Sequence, residues 1–293
     1  MKVLVAGGGG FLGAEMITNL IESGFEVKSF GKRISSTIYC EQVIADITNP
    51  DSYQKLLSTW KPEVVIQAAW VTDQKTYRMS PLNSEYMDAT LRFAEQSYLS
   101  NTEHFLALGS SAEYGIPTEP CNALTTPAKP VDEYGTAKLQ TLVKLQEMAE
   151  KFSSKLSWAR IFQPYGPNQD SARLLPFAKE ELLAGKNVKV ARPNMILDWI
   201  SSRDVASALT YAIRNPINQV FDVGTSIPTS VIQALRTLAT LLNVNSDLLE
   251  NDSKESSQDE QFLMVVSKDS PLFKAQWSPQ DDLISGLKWT LSK

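Results

Sequence analysis

Tyr134 and Lys138, four apart in the run Val131-Asp132-Glu133-Tyr134-Gly135-Thr136-Ala137-Lys138, are the pair in this sequence best suited to moving a proton. On a helix that spacing puts both side chains on one face. A phenol with its ordinary pKa of about 10 is a poor base at neutral pH. A neighbouring ammonium favours the phenolate and so suits proton exchange with a substrate hydroxyl. About two dozen residues earlier the chain reads Gly109-Ser110-Ser111-Ala112-Glu113-Tyr114-Gly115. A serine hydroxyl at the end of a strand, facing the same crevice, can hydrogen-bond the reacting oxygen and polarise a carbonyl.

A third feature stands at the N-terminus. The run Gly7-Gly8-Gly9-Gly10-Phe11-Leu12-Gly13 follows the apolar stretch Val3–Ala6 and opens the helical pattern Phe11–Ser23. It fits both Gly8-x-Gly10-x-x-Gly13 and Gly7-x-x-Gly10-x-x-Gly13. A turn without Cβ atoms lets backbone N–H groups and a helix N-terminus approach a pyrophosphate, so strand, glycines and helix together predict a dinucleotide site. At the end of the second strand, Ser29-Phe30-Gly31-Lys32-Arg33 has no carboxylate for an adenosine ribose. Lys32 and Arg33 favour a 2′-phosphate, which leans the cofactor toward NADP(H) and leaves NAD(H) open.

Alternating strands and helices must hold these groups. Strands are expected at Val3–Ala6, Glu26–Phe30, Gln42–Ala45, Glu63–Ala68, His104–Leu108 and Leu156–Ile161. Helices are expected at Phe11–Ser23, Asp51–Trp60, Ser84–Ser100 and Val131–Phe152. The pattern predicts an α/β fold, a Rossmann-like doubly wound parallel sheet with ligand loops along one edge. Residues 1–162, rejoined by roughly 196–224, form the dinucleotide-binding domain; 163–195 and 225–293 form a smaller, interleaved C-terminal substrate-binding lobe. The acidic stretch Asn245–Gln261 reads as a solvated loop.

Composition narrows the chemistry. The chain has 293 residues and a net charge of −5, without the basic footprint of a nucleic-acid binder. Cys40 and Cys121 lie far apart, arguing against a disulfide framework or a zinc site, so no metal is expected. The one histidine, His104, excludes mechanisms needing a pair of them, and its place at a strand's start suggests the surface. No run is long and apolar enough to span a membrane, and the start leaves no room for a signal peptide. A cytoplasmic protein is expected.

In order and spacing, Gly7–Gly13, Ser110–Gly115, Tyr134–Lys138, Arg160–Pro167 and Trp277-Ser278-Pro279 are similar to the NAD-dependent epimerase/dehydratase family. These are extended short-chain dehydrogenases acting largely on nucleotide sugars, and the likeness spans nearly the whole chain. The resemblance implies that Ser110 binds the sugar hydroxyl or ketone, aided by Ser111. It makes Tyr134 the general acid/base and Lys138 the holder of the nicotinamide ribose. It implies adenine contacts at Asp46 and Ile47, and a wall beside the cofactor at Ala68, Ala69 and Trp70. Gln163 stands where the family often has Asn near the substrate. Leu197 stands where many members have an Arg that touches the diphosphate, leaving Arg173 or Arg192 to substitute. A homodimer through the Tyr134–Lys138 helix and the 84–100 helix is implied as well.

Dehydratases of the family carry an acidic pair after the catalytic hydroxyl; Ser111 and Ala112 stand there instead, which argues against dehydration. Combined epimerase/reductases need a Cys and a His in the pocket, and His104 lies at the wrong end of its strand. Two reactions remain: reduction of a 4-keto-(6-deoxy) nucleotide sugar, which Lys32 and Arg33 favour, and 4-epimerisation on retained NAD. A non-catalytic dinucleotide sensor is the reading of another class. Retention of Ser110, Tyr134 and Lys138 argues against it.

Overall fold

Val3, Leu4, Val5 and Ala6 are all fully buried, a continuous apolar run of the kind that parallel strands covered on both faces require. The computed structural model, which describes every residue except 72, 74, 75 and 252–261, makes them β1 (Lys2–Ala6) at the heart of a sheet. On one side of β1 lie β2 (Glu26–Gly31) and β3 (Glu41–Ile44). On the other lie β4 (Val64–Gln67), β5 (His104–Ser110), β6 (Lys155–Ile161) and the later segment Val220–Val223 as β10. Every pairing in this seven-stranded sheet is parallel. Strand order reverses between β1 and β4, and the crevice beyond the strands' carboxyl ends at such a point is where ligands bind.

Helices cover both faces. α1 (Phe11–Glu22) and α6 (Ser202–Arg214) bury Met16, Ile17, Leu20, Val205 and Leu209 against one face. α2 (Gln54–Trp60), α3 (Leu82–Leu99) and α4 (Glu133–Phe152) bury Leu57, Phe93 and Leu145 against the other. The helix bearing Tyr134 starts two residues later than its pattern suggests. Asp132 caps it, Oδ1 accepting from Gly135 N at 2.7 Å, which is what an N-cap carboxylate does for an orphan N–H.

The later part of the chain builds a second layer. β7 (Gln163–Tyr165) and β13 (Leu263–Met264) pair parallel with β9 (Ile196–Ser201), and β11 (Pro228–Ser230) pairs with it antiparallel. β8 (Val188–Val190) pairs with β12 (Leu249–Asn251). α5 (Leu174–Leu183), α7 (Val231–Leu241) and α9 (Leu283–Leu291) pack over them around Tyr165, Leu182, Trp199 and Leu235, while the short α8 (Pro271–Lys274) lies against β10. The short strands of this layer lack the alternation that would have betrayed them. Of the acidic stretch, residues 245–251 form a 3₁₀ turn and β12; 252–261 lie outside the described residues. Among the described residues no helix is long and apolar enough to cross a membrane, and no group of side chains could hold a metal ion.

His104 is not a surface residue. β5 lies between β4 and β6, and the ring is 4 % exposed with Nε2 2.7 Å from Ser157 Oγ. Ser157 in turn donates to the Ile217 carbonyl at 2.6 Å. Burial pulls the imidazole down to about 4, so it stays neutral at physiological pH.

Candidate active site

Gly7 turns the chain out of β1 with a φ of +83°, and a Cβ there would lie 2.8 Å from the Ala69 amide nitrogen. Gly13 sits in the first turn of α1, where a Cβ would strike the Gly7 carbonyl oxygen and come within 2.9 Å of the Gly8 Cα. Between them Gly10 is the helix N-cap, in extended conformation and with no side-chain capping bond; its N–H donates to Gly7 O at 3.0 Å. A Cβ at Gly8 would be just as crowded, 2.6 Å from the Ser29 Cβ, so the turn satisfies both Gly7-x-x-Gly10-x-x-Gly13 and Gly8-x-Gly10-x-x-Gly13. The first turn of α1 carries no carboxylate, leaving its N–H groups and the positive end of the helix for an anion. Phe11 and Leu12 are half-buried beside the turn. These features fit the pyrophosphate of a dinucleotide.

Gly13→Ala tests that fit. Its methyl meets backbone rather than a movable side chain, so the turn must open; we expect dinucleotide affinity to fall at least about 100-fold, roughly 3 kcal/mol, by calorimetric titration. Native affinity in the variant would remove the turn from the site.

At the end of β2, Lys32 is already engaged. Its Nζ lies 3.0 Å from Asp46 Oδ2 and 5.7 Å from the Tyr86 ring centre. Arg33 is exposed. Asp46 also accepts from Thr48 N at 3.0 Å, and its carboxyl is held below the ordinary range by these bonds and by Lys32, against the effect of burial. Ile47 is only 3 % exposed and packs with Phe30 and Tyr53, so its side chain belongs to the core.

The reacting groups converge. β5 ends at Ser110, whose Oγ accepts from Ala112 N at 3.2 Å and which lies beside Tyr134 and favours its ionised form. Tyr134 stands edge-on to Tyr77 and Trp70, ring centres 5.1 and 6.5 Å away. Burial pushes its phenol up to about 12, partly opposed by Ser110. Lys138, 5 % exposed, donates to the Leu108 carbonyl at 2.7 Å and lies 3.7 Å over the Trp70 ring. Burial pulls this ammonium down to about 7. The expectation that the ammonium itself lowers the phenol needs correcting. Nζ is bonded to backbone, 5.8 Å from the Tyr134 ring centre, and desolvation governs both groups.

The strip after β4 forms one wall: Ala68 N donates to Ala6 O at 3.0 Å, Ala69 abuts Gly7, and Trp70 covers Lys138 while its Nε1 donates to Asn83 at 2.9 Å. Tyr77 and Arg78 had no signal in the sequence. They lie on a 3₁₀ turn, Tyr77–Met79, that Arg78 fastens to the Asp132 cap at 2.5 Å. Arg173, at the start of α5, stacks 5.2 Å from Tyr77 and its charge is felt by Tyr134. It therefore lies at the reacting end. Ser111 and Gln163 are half-buried, Gln163 on β7 beside Trp199. Asp198 is wholly buried; it accepts from Thr225 N and Oγ1 at 2.6 Å and from Ser226 and Val266 N, so it ties the second layer together.

Comparison with known proteins agrees with this geometry. The model of the NAD dependent epimerase/dehydratase family matches residues 3–224. A UDP-glucose 4-epimerase of Mycolicibacterium smegmatis is 27 % identical over 78 % of this chain and 79 % of its own. A GDP-6-deoxy-D-talose 4-dehydrogenase of Aggregatibacter actinomycetemcomitans is 24 % identical over 86 % and 84 %. Among solved structures, a Thermus thermophilus UDP-glucose 4-epimerase complexed with NAD superposes with a TM-score of 0.88 at 22 % identity, covering 100 % of this chain and 98 % of that one.

Proposed function

Because the chain belongs to the NAD dependent epimerase/dehydratase family, an enzyme family of the extended short-chain dehydrogenase/reductase fold, we propose that it transfers hydride at C4 of a nucleotide sugar, reducing a 4-keto group. The carrying observation is the meeting of Ser110, Tyr134 and Lys138 beside the glycine turn.

Gly7, Gly10 and Gly13 would hold the cofactor's pyrophosphate, Ala68 to Trp70 its ribose side, and Asp46 with Lys32 or Arg33 its adenosine end. The nicotinamide ring, when bound, supplies the hydride. The chain's own groups handle the proton. Ser110 hydrogen-bonds the ketone oxygen and polarises it; Tyr134, kept protonated by its buried setting, donates to the alkoxide oxygen as C4 becomes tetrahedral. Lys138, held by the Leu108 carbonyl, would reach the adjoining ribose. Arg173 and Gln163 would grip the substrate, and the lobe of 163–195 and 225–293 would close over it.

Two observations pull on the cofactor and the direction. Asp46 already neutralises Lys32, leaving Arg33 alone for a 2′-phosphate; this favours NAD over the NADP expected from sequence, and a retained NAD suits 4-epimerisation, as does the likeness to UDP-glucose 4-epimerases. The high phenol favours the donor role and hence reduction, as does the likeness to a 4-dehydrogenase. Protein incubated with NADPH or NADH and a 4-keto-6-deoxy nucleotide sugar should oxidise the reduced cofactor. Interconversion of UDP-glucose and UDP-galactose without added cofactor would replace reduction by epimerisation. No change in any nucleotide sugar would sink both. The proposed assembly is a cytoplasmic homodimer through α3 and α4, where Leu82, Leu99 and Val143 are exposed; light scattering should then give twice 32.5 kDa.

A further inference from the structure

Behind Ser110 lies a buried ion pair that no step above uses. Glu113 is wholly buried, and its carboxylate accepts from Ser110 N at 2.8 Å, from Trp158 Nε1 at 3.0 and 3.2 Å, and from Arg160 Nε at 2.8 Å. Arg160, 4 % exposed, lies 4.6 Å over the Tyr114 ring, and the Tyr114 hydroxyl donates to Asp222 at 2.7 Å. Gly109 admits the arrangement, since a methyl there would strike Trp158 Nε1 and come within 2.7 Å of Glu113 Oε1. Burying an ion pair generally gains little stability over apolar residues of the same size. Its place against the reacting side chains asks for another reason.

We propose that Glu113, clamped by Arg160 and Trp158, is a positioning residue for the reaction: it fixes the Ser110 backbone so that the hydroxyl meets Tyr134, and sets a negative charge behind Lys138. The proposal rests on Ser110, Tyr134 and Lys138 being the reacting groups, not on which sugar they meet. Ser110 and Glu113 form a reciprocal capping box on the Ser111–Tyr114 turn. The Ser110 oxygen accepts from Ala112 N, leaving its O–H for Tyr134 or a substrate oxygen. The groups facing Glu113 are Arg160 and Trp158 of β6, Tyr114 of its own turn, Asp222 of β10, and Tyr134 and Lys138 of α4. Those facing Lys138 are Trp70, the Leu108 carbonyl, Tyr134 and Glu113. Burial depresses the Lys138 ammonium and Glu113 opposes that depression; it also helps keep the Tyr134 phenol protonated.

Glu113→Gln removes the charge and turns an NH₂ toward Arg160. The double variant Glu113→Gln/Arg160→Gln removes the charge and also relieves that clash of donors. Lysine-labelled apo protein, with the Lys138 signal identified as the one missing from Lys138→Met, reports the titration by NMR. It should move down by about one pH unit in Glu113→Gln and by less in the double variant, which also loses a cation, with kcat at neutral pH down about tenfold in both and KM little changed. Asp222, which burial pushes up to about 7, titrates nearby, and the lysine label separates it. If the Lys138 titration stays in its native place in both variants, or moves while turnover is native, the positioning role is wrong. A double variant that regains native turnover would reduce the pair to a packing element and likewise overturn it. Failure of the native enzyme to turn over any nucleotide sugar would count against the function above, while the lysine titration, which needs no substrate, still decides this proposal.

Discussion

Tyr134→Phe is expected to lower kcat by about 10³-fold while leaving dinucleotide affinity within about twofold of native, the loss typical of a missing proton donor. The substitution keeps the ring, so the edge-on contacts with Tyr77 and Trp70 persist. It deletes one hydroxyl, and with it the interaction with Ser110. Since burial holds the phenol near 12, the native group is a protonated acid across the working range. The alkoxide formed at C4 in the variant has to wait for water. Stopped-flow measurement of cofactor oxidation, with separate calorimetry of dinucleotide binding, reads the two quantities. A rate near native would remove Tyr134 from the chemistry. A collapse of binding alongside kcat would make it a ligand contact. Tyr77 is the neighbour able to deputise, 5.1 Å away, so Tyr77→Phe in the same background should remove any residual activity that survives.

How far these groups could be read from sequence depended on whether their partners were local. Tyr134 and Lys138 needed only helical spacing, and the glycine turn only its place between β1 and α1. The four consecutive glycines left the register open, and close packing at Gly7, Gly8 and Gly13 alike leaves both spacings satisfied. Pairings across the fold were illegible. Lys32 looked available for a phosphate because Asp46, its partner, follows a different strand. His104 looked superficial because only the pairing order puts β5 inside the sheet. Glu113 stood in the Ser110–Gly115 run with no role of its own, yet its partners are Trp158 and Arg160, more than 40 residues on. Tyr77 lies in a segment with no periodic signal, and the ties from Arg78 to Asp132 and from Asn83 to the Tyr77 carbonyl hold it beside Tyr134. The short strands β7 to β13 pair across long stretches of chain, which no local pattern encodes.

The same burial that shapes the site should make it costly to keep, and Lys138→Met is where this shows. The lysine is all but inaccessible and its ammonium is pulled from 10.5 to about 7 by desolvation. An unfolded chain holds that proton up to the ordinary value, whereas the folded one releases it from about 7 upward. Folding is therefore penalised below 7, and the penalty fades as pH rises from 7 to 10.5. Methionine has similar length and no charge to desolvate. The apo variant should be more stable than native by about 2–4 kcal/mol at pH 7, after discounting for the Leu108 and Trp70 contacts it loses. That margin should shrink toward pH 10, as urea unfolding at several pH values would reveal. Turnover should meanwhile fall by about 10²–10³-fold, because the buried positive charge of the site is gone. Gain of stability with loss of rate is the signature of a side chain kept for chemistry rather than for the fold. A less stable variant, or a margin independent of pH, would mean that Lys138 carries no buried charge, and the electrostatic part of the mechanism would fall with it.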